Sequence, residues 1–319
     1  DTGAPLDAAI DGNGFFVLRD GDRTFYTRNG QFDFDADDFL ADKISGARVA
    51  AFAGSNSFQD ISLNGRRTAP PVATTRIDFV QNLQRTSTTH TMTQTVIDAI
   101  GASHTLTFVF TSDATATPPP FVWLIEVREG ATSIAANLQI RFQSNGTPES
   151  GFNSVSFPYV PAGTPSTNIQ MFFGDPGSFA GTTLFSAATD LRVSSQNGRT
   201  AGSLTEATFN DSGALTLKYS NGEIVTDKKL ALAWFNDLSA LTQGDSGLFS
   251  APAGTDVILG SAGDGMMGAI APRKIELSNV ELTEEFTQMV IIQRGYQASS
   301  QVISVSNEMI QQLFDLRKR

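Results

Sequence analysis

Three stretches of the 319-residue sequence hold residue types at spacings that chemistry could use. Gly263-Asp264-Gly265-Met266-Met267-Gly268 matches the dinucleotide pattern G-x-G-x-x-G letter for letter. Its chemistry would be a pyrophosphate held by amide groups at the start of a helix. Ala271-Pro272-Arg273 follows at once and leaves no room for that helix, so the stretch reads as glycine-rich linker. Asp33, Asp35 and Asp37 imitate the first half of a calcium loop. The position requiring glycine holds Asp38 and the one requiring a bidentate glutamate holds Ile44, so these read as solvated turn carboxylates. His90 and His104 are the only histidines, and neither has the spacing of a zinc site or of a Ser-His-Asp triad. His104, within Ser103-His104-Thr105, reads as a hairpin residue. The absence of cysteine removes disulfides, thiolate metal sites and cysteine nucleophiles together. No catalytic residue, cofactor or metal site is expected, and an enzyme is the weakest class.

Composition narrows the classes further. Thirty-three acidic residues against 22 basic ones give a net charge of -11, which removes the electrostatic support for nucleic-acid binding. Only 17% of residues are charged, a balance that suits an extracellular protein. No apolar run approaches the roughly 18 residues needed to span a bilayer, so membrane insertion is not expected. Twenty-four phenylalanines against four tyrosines and two tryptophans point to packing rather than to stacking on sugars or bases. The opening Asp1-Thr2-Gly3-Ala4-Pro5 has neither an initiating methionine nor a signal-peptide pattern, and further sequence is expected upstream.

The elements that would position any site are mainly strands. Residues 7–40 alternate short β-prone runs with Asp-Gly and Asn-Gly pairs, and further Asn-Gly pairs begin at Asn64, Asn145, Asn197 and Asn221. Such pairs tolerate positive φ and favour tight hairpins, so an antiparallel meander follows. The middle of the chain is strand-like between loops at Pro118-Pro119-Pro120 and residues 161–165.

The end of the chain has a different period. Ser278 or Asn279 can cap a helix, acids fill its first turn, and Arg317, Lys318 and Arg319 close it. Leu282, Phe286, Met289, Tyr296, Ile303, Ile310 and Phe314 fall three, four or seven apart, interrupted by Gln293, Ser300 and Asn307 at seven-residue intervals. This is a heptad seam in which Gln293 and Asn307 are expected to set register between helices. A second apolar set, Val290, Val302, Val305, Met309, Leu313 and Leu316, widens the stripe beyond a two-stranded coiled coil. Forty helical residues reach roughly 60 Å, too long to pack wholly on their own domain. The tail therefore reads as an assembly element.

Asp7-Ala8-Ala9-Ile10-Asp11-Gly12-Asn13-Gly14-Phe15-Phe16, followed by Tyr26-Thr27-Arg28-Asn29-Gly30-Gln31-Phe32, resembles the opening of the core domain in bacterial flagellar rod and hook proteins. Ser278-Asn279-Val280-Glu281-Leu282 and Gln293-Arg294-Gly295-Tyr296-Gln297-Ala298 resemble that family's C-terminal signature. Ile77-Asp78-Phe79-Val80-Gln81-Asn82-Leu83 and the run from Ile100 to Thr107 resemble the large β insertion of its hook branch, and Leu230-Ala231-Leu232-Ala233-Trp234-Phe235-Asn236 the return to the core. The resemblance is weakest over residues 118–194. Around Asp37-Asp38-Phe39-Leu40 the family usually has a glycine in the turn; aspartate can adopt the left-handed conformation at some cost, so the turn is expected to survive.

The resemblance implies a mainly β fold: a core β domain in two parts and an inserted β-barrel or sandwich domain, with a long C-terminal helix for coiled-coil-like assembly. The expected divisions are 1–72 for the first part of the core and 73–197 for the insertion. The second part of the core with its glycine-rich linker takes 198–275, and the helix 276–319. The implied function is that of a structural subunit polymerising into a flexible curved tube that passes motor torque to the filament. Its implied partners are copies of itself, the flagellar rod and hook–filament junction proteins and, during assembly, the hook cap, after export by the flagellar type III system. The family's upstream segment would supply a partner helix. A distal rod protein is the alternative within the family, disfavoured by the size of the insertion. A β-sandwich adhesin or carbohydrate-binding module is the alternative outside it.

Overall fold

The computed structural model describes residues 2–54, 57–113, 115, 121–252, 254–276 and 281–317, with side chains to residue 313. The chain forms two compact units, Asp1–Lys274 and Ile275–Arg319. The first is built of strands and the second of one helix, so the protein is mainly β.

In the first unit, Phe15–Asp20 is the strand that residues on both sides of the long middle segment must meet. It pairs with Arg23–Thr27, Arg48–Phe52 and Leu232–Phe235, all antiparallel. Phe16 and Leu18 face one apolar cluster with Phe32, Val49, Leu215 and Ile270, while Val17 faces another with Tyr26, Ala231 and Phe235. A strand buried on both faces reads as an unbroken apolar run, which is why Phe-Phe-Val-Leu stands out in the sequence. Edge-on rings, such as Phe16 and Phe32 at 5.1 Å, fix the packing.

In the turn at residues 37–40 it is Asp38 that takes the left-handed conformation, at φ +64°. Arg67 Nε donates to its Oδ1 at 3.0 Å, and that hydrogen bond holds the carboxyl below its ordinary range.

Gly30 is required for a reason that its Asn-Gly context does not disclose. Its φ is not positive; instead a Cβ there would lie 1.6 Å from the Ala8 carbonyl oxygen. The Ala8 amide donates to Gly30 O at 2.9 Å, so the first strand lies directly against this backbone. Gly30→Ala is expected to force the two chains apart and to lower stability by about 3 kcal/mol, seen as a drop in the urea midpoint.

The segment expected as an irregular linker is paired and packed. Val257–Gly260 joins Leu232–Phe235, and Ala269–Pro272 pairs with Ala8–Asp11, closing the β unit with its first and last strands side by side. Ala262, Met267 and Ile270 are buried in the main cluster. Glycine abundance hid these few apolar residues, and the strand that pairs with Ala269–Pro272 lies more than 200 positions away.

Residues 76–196 build a separate apolar cluster, drawn from Ile77 to Leu191. A four-stranded antiparallel meander, Thr89–Ile97, Ser103–Ser112, Val122–Glu129 and Thr132–Arg141, faces a second sheet across it. Leu106, Phe108, Phe110, Trp123, Ile125 and Val127 come from the meander, and Ile77, Phe79, Phe157, Met171 and Phe173 from the other sheet. The arrangement is that of a sandwich. The second sheet departs from the antiparallel expectation: Arg76–Gln84 pairs in parallel with Thr167–Phe172 and with Thr182–Phe185. The switch of partners along this strand falls at Gln81, where φ is +77°.

Candidate assembly helix

The helix spans Leu282–Arg317, 36 residues, or roughly 54 Å at 1.5 Å per residue. Its ordering begins at Glu281, whose carbonyl accepts from the amides of Glu284 and Glu285, and Glu284 and Glu285 lie in the first turn where the dipole favours acids. The expected caps Ser278 and Asn279 lie outside the described residues, as do Lys318, Arg319 and the side chains of Phe314, Leu316 and Arg317. Thr287 and Ser299 return their hydroxyls to the carbonyls four residues back, so these polar side chains are satisfied within the helix.

At about 100° per residue, Leu282, Phe286, Met289, Gln293, Tyr296, Ile303, Asn307 and Ile310 fall in one stripe that drifts by about 20° per heptad. Every one of them is exposed, Tyr296 at 76% and Ile303 at 63%. Val302, Val305, Met309 and Leu313 lie on the far side and are exposed too, while Val290 flanks Phe286. Between Phe286 and Leu313 the only charged residues are Arg294 and Glu308. The helix is thus apolar on two sides and nearly free of charge, an arrangement that a single partner could not cover. No described helix is long and apolar enough to cross a membrane.

The other chemistry-bearing residues are structural in their settings. Asp35 Oδ1 accepts from the amides of Asp37 and Phe39, and Asp33 Oδ1 from that of Phe34, so these carboxylates shape a turn. Among the described residues no three His, Cys, Asp or Glu side chains gather as a metal site. Gly263 and Gly268 close a tight loop, Gly263 N donating to Gly268 O at 3.1 Å, and the strand Ala269–Pro272 follows it directly. His90 lies against Phe110, and burial lowers its pKa. His104 is the residue whose setting the sequence concealed. Its Nδ1 meets Glu129 Oε1 at 2.8 Å and its Nε2 meets Asp98 Oδ2 at 3.0 Å, while Tyr159 Oη donates to Glu129 Oε1 at 3.0 Å. Asp98 belongs to the turn of the same hairpin, while Glu129 and Tyr159 come from two other strands, which local spacing cannot reveal.

The domain family described as "Flagellar hook protein FlgE/F/G D1 domain" matches residues 9–87, and "Flagellar basal body rod FlgEFG protein C-terminal" matches residues 272–316. The two thus bracket the chain in order. The flagellar hook protein FlgE of Escherichia coli is 27% identical over 348 residues, covering 99% of this chain and 83% of that protein. The chain is similar to flagellar hook proteins over nearly its whole length. FlgE of Helicobacter pylori is 29% identical over 243 residues, covering 73% of this chain and 34% of that protein. The basal-body rod protein FlgG of Bacillus subtilis is 32% identical over 108 residues, 33% of this chain and 41% of that one. The crystal structure of the Helicobacter pylori flagellar hook protein FlgE2 superposes with a TM-score of 0.58 at 13% identity, covering 87% of this chain and all of that one, a likeness of fold. The C-terminal family match contains most of the helix, Leu282 to Leu316, including all the seam residues.

Proposed function

We propose that the chain is a structural subunit of the bacterial flagellar hook, polymerising into a flexible curved tube that transmits motor torque to the filament. The observation that carries this reading is the helix: a long rod with apolar residues exposed on two sides and only Arg294 and Glu308 charged between Phe286 and Leu313, in a chain whose relatives over nearly its whole length are hook proteins. Burial of Leu282, Phe286, Met289, Tyr296, Ile303, Ile310 and Phe314 among helices of other copies would hold an inner tube, with Gln293 and Asn307 setting register. The β unit would divide into a core domain, residues 1–72 and 198–275, and an outer domain, 73–197, whose neighbour contacts can slide as the tube bends. Partners beyond its own copies would be the rod and hook–filament junction proteins and, in assembly, the hook cap, after type III export. The role requires no catalysis.

A distal rod subunit is the second reading, favoured by the match to FlgG and opposed by the sandwich of residues 76–196. Gold-labelled antibody against residues 73–197, applied to isolated flagellar basal bodies, separates the two. Label along the curved hook supports the proposal. Label on the straight rod, or intact hooks left bare, overturns it.

A further inference from the structure

The two chain passages that join the sandwich to the rest of the β unit form a neck. Val72 and Arg199 exchange both backbone hydrogen bonds at 2.8 Å. One step on, Thr74, fully buried, donates its hydroxyl to Gln196 Oε1 and accepts from the Ile97 amide, while its own amide donates to Ile97 O, each at 2.8 Å. Gly198 passes so close that a Cβ there would lie 2.0 Å from Thr74 Oγ1. Ile97 ends the strand Thr89–Ile97, and the turn that follows it, residues 98–102, rests on the neck: a Cβ at Gly101 would lie 2.7 Å from Pro71 Cβ. The turn is shaped by Asp98, whose Oδ1 accepts from the amides of Ile100 and Ala102 and whose Oδ2 meets His104.

We propose that His104 is a proton-sensitive latch: as an imidazolium it ties the Asp98 turn to Glu129 and so braces the neck, and on losing its proton it lets that brace loosen. A charged imidazole donates from both nitrogens, matching the two carboxylates it faces; a neutral one leaves one carboxylate opposite a lone pair. The groups facing His104 from the elements around it are Asp98, Glu129 and Tyr159, whose ring stands edge-on at 5.7 Å. No cation is among them. The hydrogen bond to Asp98 is the largest influence raising the His104 pKa, opposed by burial and assisted by Glu129. Burial alone would raise Asp98, but the hydrogen bonds from His104, Ala102 and Ile100 together leave it lowered. Burial and the bond to Glu129 keep Tyr159 protonated. The raised histidine contributes stability that is complete below its ordinary 6.5 and is lost as pH rises through the higher folded value. The lowered aspartate contributes stability above its ordinary 3.8, lost only in stronger acid. The latch is therefore closed between the two and opens on the alkaline side.

The latch rests on the division of the β unit proposed above, but its test reads the neck directly and does not require tubes to form. In the full chain, NMR titration should give two histidines, His90 below 6.5 and His104 above it. Hydrogen exchange, corrected for its intrinsic pH dependence, should show protection at Thr74, Ile97 and Ala102 falling by about tenfold as His104 deprotonates, with amides near His90 unaffected. In His104→Gln that fall should vanish. Where His104→Gln does not fold, Glu129→Gln keeps the Asp98 contact and should move the titration midpoint and the exchange transition down together. Protection that ignores the His104 titration in the wild type, a fall that persists in His104→Gln, or a transition unmoved in Glu129→Gln overturns the proposal.

Discussion

Ile303→Asp is expected to abolish polymerisation while leaving the thermal unfolding of the β unit unchanged. In the single chain Ile303 is 63% exposed, so an aspartate there meets water and loses the protomer little beyond helix propensity. Between packed helices the same carboxylate is surrounded by apolar side chains, Arg294 being the only cation between Phe286 and Leu313 and lying nine residues from position 303. An unpaired buried charge costs several kcal/mol, repeated at each subunit, more than a helical lattice with a modest energy per contact can absorb. Ile303→Leu keeps volume and apolarity and should assemble. Electron microscopy and sedimentation read the polymer, and circular dichroism reads the fold. Normal tubes from Ile303→Asp would remove the inner-helix proposal.

Phe79→Ala is expected to lower the stability of the sandwich by about 4 kcal/mol. The ring is 1% exposed, stacked on Phe173 at 4.9 Å and edge-on to Phe108 and Phe110, so it joins both sheets. Alanine leaves a void whose walls belong to different strands and cannot close together. Since this apolar cluster shares no residue with those around Phe16 and Val17, calorimetry should show an earlier transition for the sandwich alone. A single transition, shifted as a whole, would mean that the two halves fold as one body and would count against the proposed domains.

The sequence disclosed most where a pattern is local. The helix could be read because its 3.5-residue repeat is contained in the segment itself, and the strand Phe15–Asp20 because burial on both faces leaves an apolar run. That the turn around Asp37-Asp38 would survive without glycine could be expected because aspartate tolerates the left-handed region, which Asp38 occupies. What failed depends on distant partners. Gly30 and Gly198 sit in Asn-Gly pairs, yet they are needed for the approach of Ala8 and Thr74, which no dipeptide records. The glycine-rich stretch around residues 263–268 looked like linker because glycines outnumber the apolar residues there and because the strand that accepts Ala269–Pro272, Ala8–Asp11, is encoded near the other end of the chain. His104 is the hairpin residue it looked like, opposite Val96 and bonded to Asp98 of the same turn; what stayed hidden is Glu129, supplied by another strand.

The pairing of Ala8–Asp11 with Ala269–Pro272 has a mechanical side. Thr2 N donates to Arg273 O, and Arg273 N to Asp7 O, so the chain enters and leaves the β unit at adjoining points. Tension applied along residues 2–7 and taken up along residues 273–274 would run across this short ladder and bypass the interior. The rest of the β unit then hangs from a stressed thread without lying in its load path, free to tilt or shear as the thread is pulled.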